Sequence, residues 1–259
     1  MKNTLLPKTA LPSLSVFYPA YNDEGSIRPL VEKTLKLLPT ITDDFEIIVV
    51  NDGSRDRTAA ILDELAATLP RVRVVHHPRN RGYGGALRTG LLTATKDWVF
   101  YTDGDAQYDV GELLTLAPLA RADVDVVNGY KLKRSDNRPR IILGGLYKRL
   151  ARTLFRLPIR DVDCDFRLMR RAVIQSIDLV STSGVVCTEM VYKLHLSGAR
   201  FVETPVHHYP RQHGQSQFFT WRSVAKTAAD FFALWLRLVV LPRVSFGLLR
   251  QRKPAIDRP

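Results

Sequence analysis

The feature that most constrains this chain is an alternation. Short, almost continuously apolar runs recur between longer stretches whose apolar residues fall three and four apart. "FEIIVV" (45–50) is rich in β-branched residues and nearly unbroken in its apolar character, as a strand covered on both faces requires. "LSVFY" (14–18), "VRVVH" (72–76), "WVFYT" (98–102) and "DVVNG" (125–129) read the same way. Between them, Ile27, Leu30, Val31, Leu35 and Leu38 share one helical face, and Ile61, Leu62, Leu65 and Leu69 share another, predicting helices over 27–38 and 58–69. Ser54 or Asp56 can cap the second helix. Strands alternating with helices of this length imply right-handed crossovers and a largely parallel sheet with helices on both faces, an α/β fold.

Ligands of such sheets bind beyond the carboxyl ends of the strands. The four loops there are "PAYNDEGS" (19–26), "NDGSRDRT" (51–58), "HPRNRGYGGALRTG" (77–90) and "DGDAQYD" (103–109). Three of the four carry acidic or amide side chains at the strand exit, a convergence stronger than any one loop. Singly, the Asp-Gly pairs at 52–53 and 103–104 are ordinary turn chemistry. An EF-hand is excluded, because counting from Asp103 puts Tyr108 where Gly is needed and Leu114 where Glu is needed. The Gly-rich 82–90 stretch is not a dinucleotide fingerprint, since Leu87 replaces the last Gly and the stretch follows the third strand; it reads as a helix starting close to something bulky. No P-loop and no nucleophile elbow occur.

Asp-x-Asp at a strand end suits a cleft that receives a diphosphate. Carboxylates alone would repel such a ligand, each like-charge pair at ~4 Å costing about 4 kcal/mol at an effective dielectric near 20. A hard divalent cation between them reverses the sign. Magnesium or manganese takes one or two carboxylates plus phosphate oxygens and water, and Gln107 offers a neutral carbonyl oxygen beside Asp103 and Asp105.

Seven ordered motifs, "VFYPAYNDEGSI", "EIIVVNDGSRDRT", "NRGYGGALRTG", "FYTDGDAQY", "VVNGYKLKRSD", "DVDCDFRLMRR" and "RQHGQSQF", span roughly residues 14–218. In this the chain resembles the family 2 glycosyltransferases of GT-A fold, and among them the polyprenyl-phosphate sugar transferases typified by dolichol-phosphate mannose synthase. The resemblance implies a metal-dependent, inverting hexosyltransferase that moves a sugar from a nucleotide diphosphate sugar, of GDP-mannose or UDP-glucose type, to a polyprenyl or dolichyl phosphate. It implies that Pro19, Tyr21 and Asp23 hold the nucleotide, that Asp52 contacts the base or ribose, and that Asp103, Gly104, Asp105 and Gln107 form the Mg²⁺ or Mn²⁺ and diphosphate site. Arg211 would neutralise the diphosphate, with Ser216 in the same loop. Lys131 stands where Arg is usual and Gln217 where mannose synthases often carry Lys, so the cationic shell is altered.

A lipid phosphate acceptor, with a second pKa near 6, arrives largely ionised and needs no strong base. A hydroxyl acceptor needs a carboxylate to take its proton. Asp163, Asp165 and Glu189 are the candidates, the resemblance placing "DVDCDF" beside the acceptor, while Glu189 also opens a helix expected over 188–198, where a negative charge suits the N-terminus.

The chain has 259 residues with a net charge of +12 and pI near 9.9, which favours an anionic partner without choosing among nucleic acid, membrane and phosphorylated substrate. Cys164 and Cys187 lack disulfide or zinc spacing, and the remaining histidines lack metal patterns. No secretion signal is visible, so the expected location is cytoplasmic. Domains are expected at 1–12 (a loose arm), 13–219 (catalytic) and 220–259 (helix and basic tail). Within "WRSVAKTAADFFALWLRLVVLPRVSFGLLRQRK" (221–253) the longest near-apolar run, 231–241, is broken by Arg237 and falls short of the ~20 residues a span needs. It reads as a basic amphipathic helix lying in an anionic membrane interface, with Phe231, Phe232, Trp235 and Leu238 inserted; a docking or dimer helix is the alternative. Leu143, Leu146, Leu150 and Leu154 predict a second such helix within 131–160. Two other functions fit the sequence: the same donor chemistry on a soluble or saccharide acceptor, or a non-catalytic basic membrane- or nucleic-acid-binding protein. Carboxylates at strand exits count against nucleic acid.

Overall fold

The computed structural model describes residues 11–132, 138–211 and 221–242. The apolar runs become strands β1 (Leu14–Ala20), β2 (Phe45–Asn51), β3 (Val72–His76), β4 (Trp98–Thr102) and β5 (Val126–Lys131). Two further strands, β6 (Phe166–Arg170) and β7 (Phe201–Val206), complete a seven-stranded sheet of order β3-β2-β1-β4-β6-β5-β7. All neighbours are parallel except β6, which is antiparallel to both β4 and β5. Helices α1 (Ile27–Leu37), α2 (Thr58–Thr68), α3 (Tyr83–Thr93), α4 (Leu113–Leu116), α5 (Arg138–Phe155), α6 (Arg171–Ile174) and α7 (Val186–Leu196) fill the connections.

Side chains alternate across the sheet, so β1 serves two cores. Leu14, Val16 and Tyr18 join α1 and α2 through Leu30, Val31, Leu62 and Leu65 on one face, while Phe17 joins α3 and α7 through Leu87, Leu91, Met190 and Leu194 on the other. This double covering is why β1, β2 and β4 are apolar at nearly every position. β3 is an edge strand, and its Arg73 and His76 are exposed accordingly. The charge in "FEIIVV" is also resolved: Glu46 is buried, accepting from Ser15 Oγ at 2.7 Å, from the Thr95 N–H and hydroxyl at 2.8 and 2.7 Å, and from Arg73 at 2.8 Å.

The expected boundaries moved in places. Leu11 is buried, so the folded chain begins inside the expected 1–12 arm; residues 1–10 lie outside the described residues. Asp56, not Ser54, meets the start of α2, accepting from the Thr58 N–H at 3.0 Å. α3 does start against bulk: a Cβ at Gly84 would stand 2.0 Å from the Ser181 carbonyl oxygen, and one at Gly90 2.3 Å from the Phe17 ring.

The chain divides into two units, residues 1–216 and 217–259. In the second, α8 (Trp221–Trp235) runs into one π-type turn over Leu236–Val240. There Phe232 and Leu236 are exposed while Phe231 is buried, successive residues lying about 100° apart around the helix axis. Residues 243–259, with Arg243, Arg250, Arg252 and Lys253, lie outside the described residues. No described helix is long and apolar enough to cross a membrane.

Candidate active site

Register assembles the site. Thr102 pairs with Phe166, so Asp103 leaves β4 where Asp165 enters β6, and two carboxylates from opposite strand directions meet at one sheet edge. β1 ends at the same edge. The Gly104 N–H donates to the Pro19 carbonyl at 3.2 Å, and a Cβ at Gly104 would lie 2.9 Å from that oxygen and 3.3 Å from Asp23 Oδ2, so only glycine lets the two loops approach. Ala106 takes φ +58°, and the Asp105 carboxylate closes the turn by accepting the Gln107 N–H at 3.0 Å. Asn22 takes φ +56° in the first loop, which is laced to the second: its N–H donates to Ser54 Oγ at 3.0 Å, and the Asp23 N–H donates to Thr58 Oγ1 at 2.9 Å.

Around this turn the charges crowd. Arg211 donates to Asp105 Oδ2 at 2.5 Å, and its other terminal nitrogen stands 3.9 Å from Asp23 Oδ1. Tyr83, from the start of α3, donates its hydroxyl to Asp103 Oδ1 at 2.8 Å. Asp165 Oδ1 receives Tyr101 Oη at 3.3 Å and Cys187 Sγ at 3.1 Å, with an Arg167 nitrogen at 3.6 Å. Burial, and then the charges of Asp165 and Asp105, hold the Asp103 carboxyl well above the ordinary range. Burial raises Asp105 too, against the pull of Arg211. Asp23 is pushed up to about 6 by burial, with the Tyr21 N–H and Arg211 opposing and Asp105 assisting. Asp23, Asp103, Asp105 and Asp165 thus crowd their carboxyls around the guanidiniums of Arg211 and Arg167, an oxygen-rich donor set of the kind a hard cation takes. Among the described residues, no three His, Cys, Asp or Glu side chains surround a common metal point. A cation at this edge fits the pattern of two protein carboxylates completed by ligand phosphate and water.

Several expected residues do other work. Gln107 spends its side-chain amide on the Tyr209 carbonyl at 3.0 Å, and the Tyr209 N–H returns to the Gln107 carbonyl at 2.8 Å; this clasp anchors the segment that delivers Arg211. Glu189 is enclosed by donors of its own. It is fully buried; burial alone would raise it, but Lys193 at 2.7 Å and the Ser181 N–H at 2.7 Å hold it below the usual range. The Val180 N–H also reaches it at 3.2 Å. It fastens the 180–182 loop against α3. Lys131 donates to the Asp163 carbonyl and lies 6.0 Å from the Tyr108 ring centroid, bracing the 161–165 loop. Asp52 is buried, its Oδ1 taken by His77 at 2.6 Å and the Arg81 N–H at 2.8 Å. Ser216 and Gln217 lie outside the described residues.

Sequence reasoning missed Tyr83, Tyr101 and Arg167. Arg167 is fully buried and binds Asn128 Oδ1 at 2.6 Å, the Tyr101 hydroxyl and the Val162 carbonyl, locking the loop that carries Asp163 and Asp165. The only signal was an arginine amid "CDFRLM", where an inward strand residue was due.

Residues 15–178 match the model of a family described as Glycosyl transferase family 2. Glycosyltransferase AglD of Haloferax volcanii is 31% identical over 243 residues, covering 90% of this chain and 38% of that protein. An undecaprenyl-phosphate 4-deoxy-4-formamido-L-arabinose transferase of an Enterobacter species is 29% identical over 217 residues, covering 83% of this chain and 65% of that protein. The chain thus spans less than two thirds of the length of either relative. Among solved structures, a mannosyltransferase, PcManGT of Pyrobaculum calidifontis, in complex with GDP-Man and Mn²⁺, superposes with a TM-score of 0.64 at 23% identity, covering 90% of this chain and 67% of that one. Glucosyl-3-phosphoglycerate synthase of Mycobacterium tuberculosis gives 0.59 at 19% identity, covering 88% and 81%. The fold is theirs, and the expected GT-A architecture is borne out.

Proposed function

Because this chain belongs to glycosyl transferase family 2, we propose that it transfers a hexose from a nucleotide diphosphate sugar to a polyprenyl phosphate, with inversion. One observation carries the reading: Asp103, Asp105 and Arg211 converge at the edge where Asp165 enters, a mixed-charge cleft suited to a diphosphate and its cation. The sugar-lipid part is supported by the relatives, one of which is named for undecaprenyl phosphate.

In this reading Asp103 and Asp105 hold Mg²⁺ or Mn²⁺, which when bound neutralises the diphosphate and stabilises it as a leaving group. Arg211 adds a second fixed positive charge. Pro19, Tyr21, Asp23 and Asp52 line the nucleoside side. Asp163 and Asp165 flank the acceptor, and a phosphate nucleophile, already largely ionised at neutral pH, is aligned more than deprotonated.

The acceptor's lipid fits the surface of α5. Ile142 is 72% exposed and Leu146 53%, and Leu143 and Leu150 extend the same stripe, with Arg149 and Arg152 exposed beside it. Such a face suits the interface of an anionic bilayer. Attachment to the cytoplasmic side of a membrane follows from this reading.

The test is incubation with labelled GDP-mannose and UDP-glucose, Mn²⁺ or Mg²⁺, and a short-chain polyprenyl phosphate, followed by lipid extraction. Label in the lipid phase is expected. Label only on a soluble acceptor would replace the lipid by a saccharide or small-molecule acceptor, and no nucleotide-sugar binding at all would overturn the enzyme reading.

A further inference from the structure

β3 ends in two histidines that the sequence could not tell apart. His76 is exposed, with Nε2 3.1 Å from Asp63. His77 is buried, with Nδ1 2.6 Å from Asp52 Oδ1 and Nε2 2.9 Å from Thr89 Oγ1 on α3. In the neutral ring, Nδ1–H donates to the carboxylate and Nε2 accepts from the Thr89 hydroxyl, so the two partners together fix the tautomer and orientation of the His77 ring. The Arg81 N–H lands on the same Asp52 oxygen at 2.8 Å, while among the described residues no hydrogen bond reaches Oδ2.

We propose that His77 and Thr89 are positioning residues that hold Asp52 by one oxygen and so present the other, Oδ2, to an O–H or N–H donor of the nucleoside in the sugar donor. The proposal rests on reading this edge as a nucleotide-sugar site. Its physical basis is that a buried carboxylate is tolerated only when hydrogen-bonded, and that two donors on one oxygen stop the group rotating. The supports are rigid. Asp52 leaves β2 with its own N–H on the Ala20 carbonyl at 2.9 Å, the His77 N–H is bound to the Asn51 carbonyl at 2.9 Å, and α3 is pinned to β1 by the contact between Gly90 and Phe17. The chain Asp52–His77–Thr89 has the outline of a hydrolytic triad. Its Thr89 hydroxyl sits within α3, where it donates inward to a ring nitrogen rather than standing at a loop as a nucleophile.

Nucleoside recognition is the same in ground and transition states, so losing it raises KM more than it lowers kcat. The experiment measures binding of GDP and of UDP in the presence of Mn²⁺ by calorimetry, with steady-state kinetics, for the full chain and the variants His77→Ala, His77→Asn, Thr89→Val, Thr89→Ser and Asp52→Asn. Thr89→Val keeps the volume of the side chain and protects the test against a His77→Ala chain that does not fold. The expected result is that Asp52→Asn, His77→Ala and Thr89→Val each weaken the preferred nucleoside diphosphate about tenfold, the effect of one lost charge-assisted hydrogen bond. His77→Asn, which keeps a donor near the Nδ1 position, and Thr89→Ser should restore much of the loss. Unchanged binding in folded Thr89→Val and His77→Ala beside weakened Asp52→Asn would overturn this inference alone. Unchanged binding in Asp52→Asn would overturn the nucleoside reading of Asp52 together with it, and a fall in kcat with unchanged KM would do the same.

Discussion

Arg211 donates to Asp105 at 2.5 Å, joining the last segment of the first unit to the β4 exit across 106 residues of sequence. The guanidinium thereby offsets part of the charge of the carboxylate cluster, and in the proposed reaction it would stand beside the diphosphate. Arg211→Gln should lower kcat about 10²–10³-fold, as loss of one preorganised charge does, with unchanged circular dichroism. Near wild-type turnover would remove Arg211 from the reaction.

The crowding of Asp103, Asp105, Asp165 and Asp23 is maintained at a cost to stability. Asp103→Asn should abolish metal-dependent turnover yet raise Tm at pH 8 by about 2–4 °C, the shift expected for about 1 kcal/mol of relieved repulsion. Thermal unfolding followed by fluorescence measures it; a lowered Tm would contradict the account of charge crowding.

Two buried carboxylates give opposite pH signs. Asp23, pushed up to about 6, favours the folded state while protonated, so its contribution declines as pH rises from its ordinary value of 3.8 through about 6. Asp23→Asn should therefore steady the protein above pH 6. For Glu46, burial raises the pKa, but Ser15, Thr95 and Arg73 together bring it below its ordinary value of 4.5. Its contribution is present above that value and lost as pH falls through the lower, folded one. Urea midpoints from pH 3 to 7 should show that Glu46→Gln loses part of the wild-type steepness at the acid end.

Two glycine substitutions in helices should differ in sign. Gly90→Ala forces a methyl to within 2.3 Å of the Phe17 ring and should cost about 1–3 kcal/mol. Gly145→Ala meets nothing within 4 Å and should stabilise α5 by about 0.5–1 kcal/mol. Chemical denaturation of both variants checks the pair.

The exposed stripe of α5 is a separable test of membrane association. Ile142→Glu with Leu146→Glu should reduce co-sedimentation with vesicles containing anionic lipid, while leaving Tm near that of the parent because both residues are exposed. Unchanged sedimentation would remove α5 from the interface.

Strands β1 to β5 and helices α1 and α2 were legible because a doubly covered strand must be apolar at nearly every position and a helix covering it only every three or four. β6 and β7 were not. Arg167 puts a charge at an inward position of β6, satisfied by Asn128, Tyr101 and Val162, and Pro205 interrupts β7, which sits at the sheet edge where a missing N–H is tolerated. Local pattern cannot reveal either compensation, because the partners lie far away in sequence.

For the site, the sequence by itself determined which loops face the cleft and that Asp103 and Asp105 belong to one tight turn, since strand period and turn chemistry are local. Tertiary structure decided the rest. The antiparallel arrival of β6 brings Asp165 beside Asp103, and the clasp between Gln107 and Tyr209 carries Arg211 to Asp105. It also surrounds Glu189 with Lys193 and the N–H groups of Val180 and Ser181, donors that lie apart in sequence and are assembled only when the chain folds.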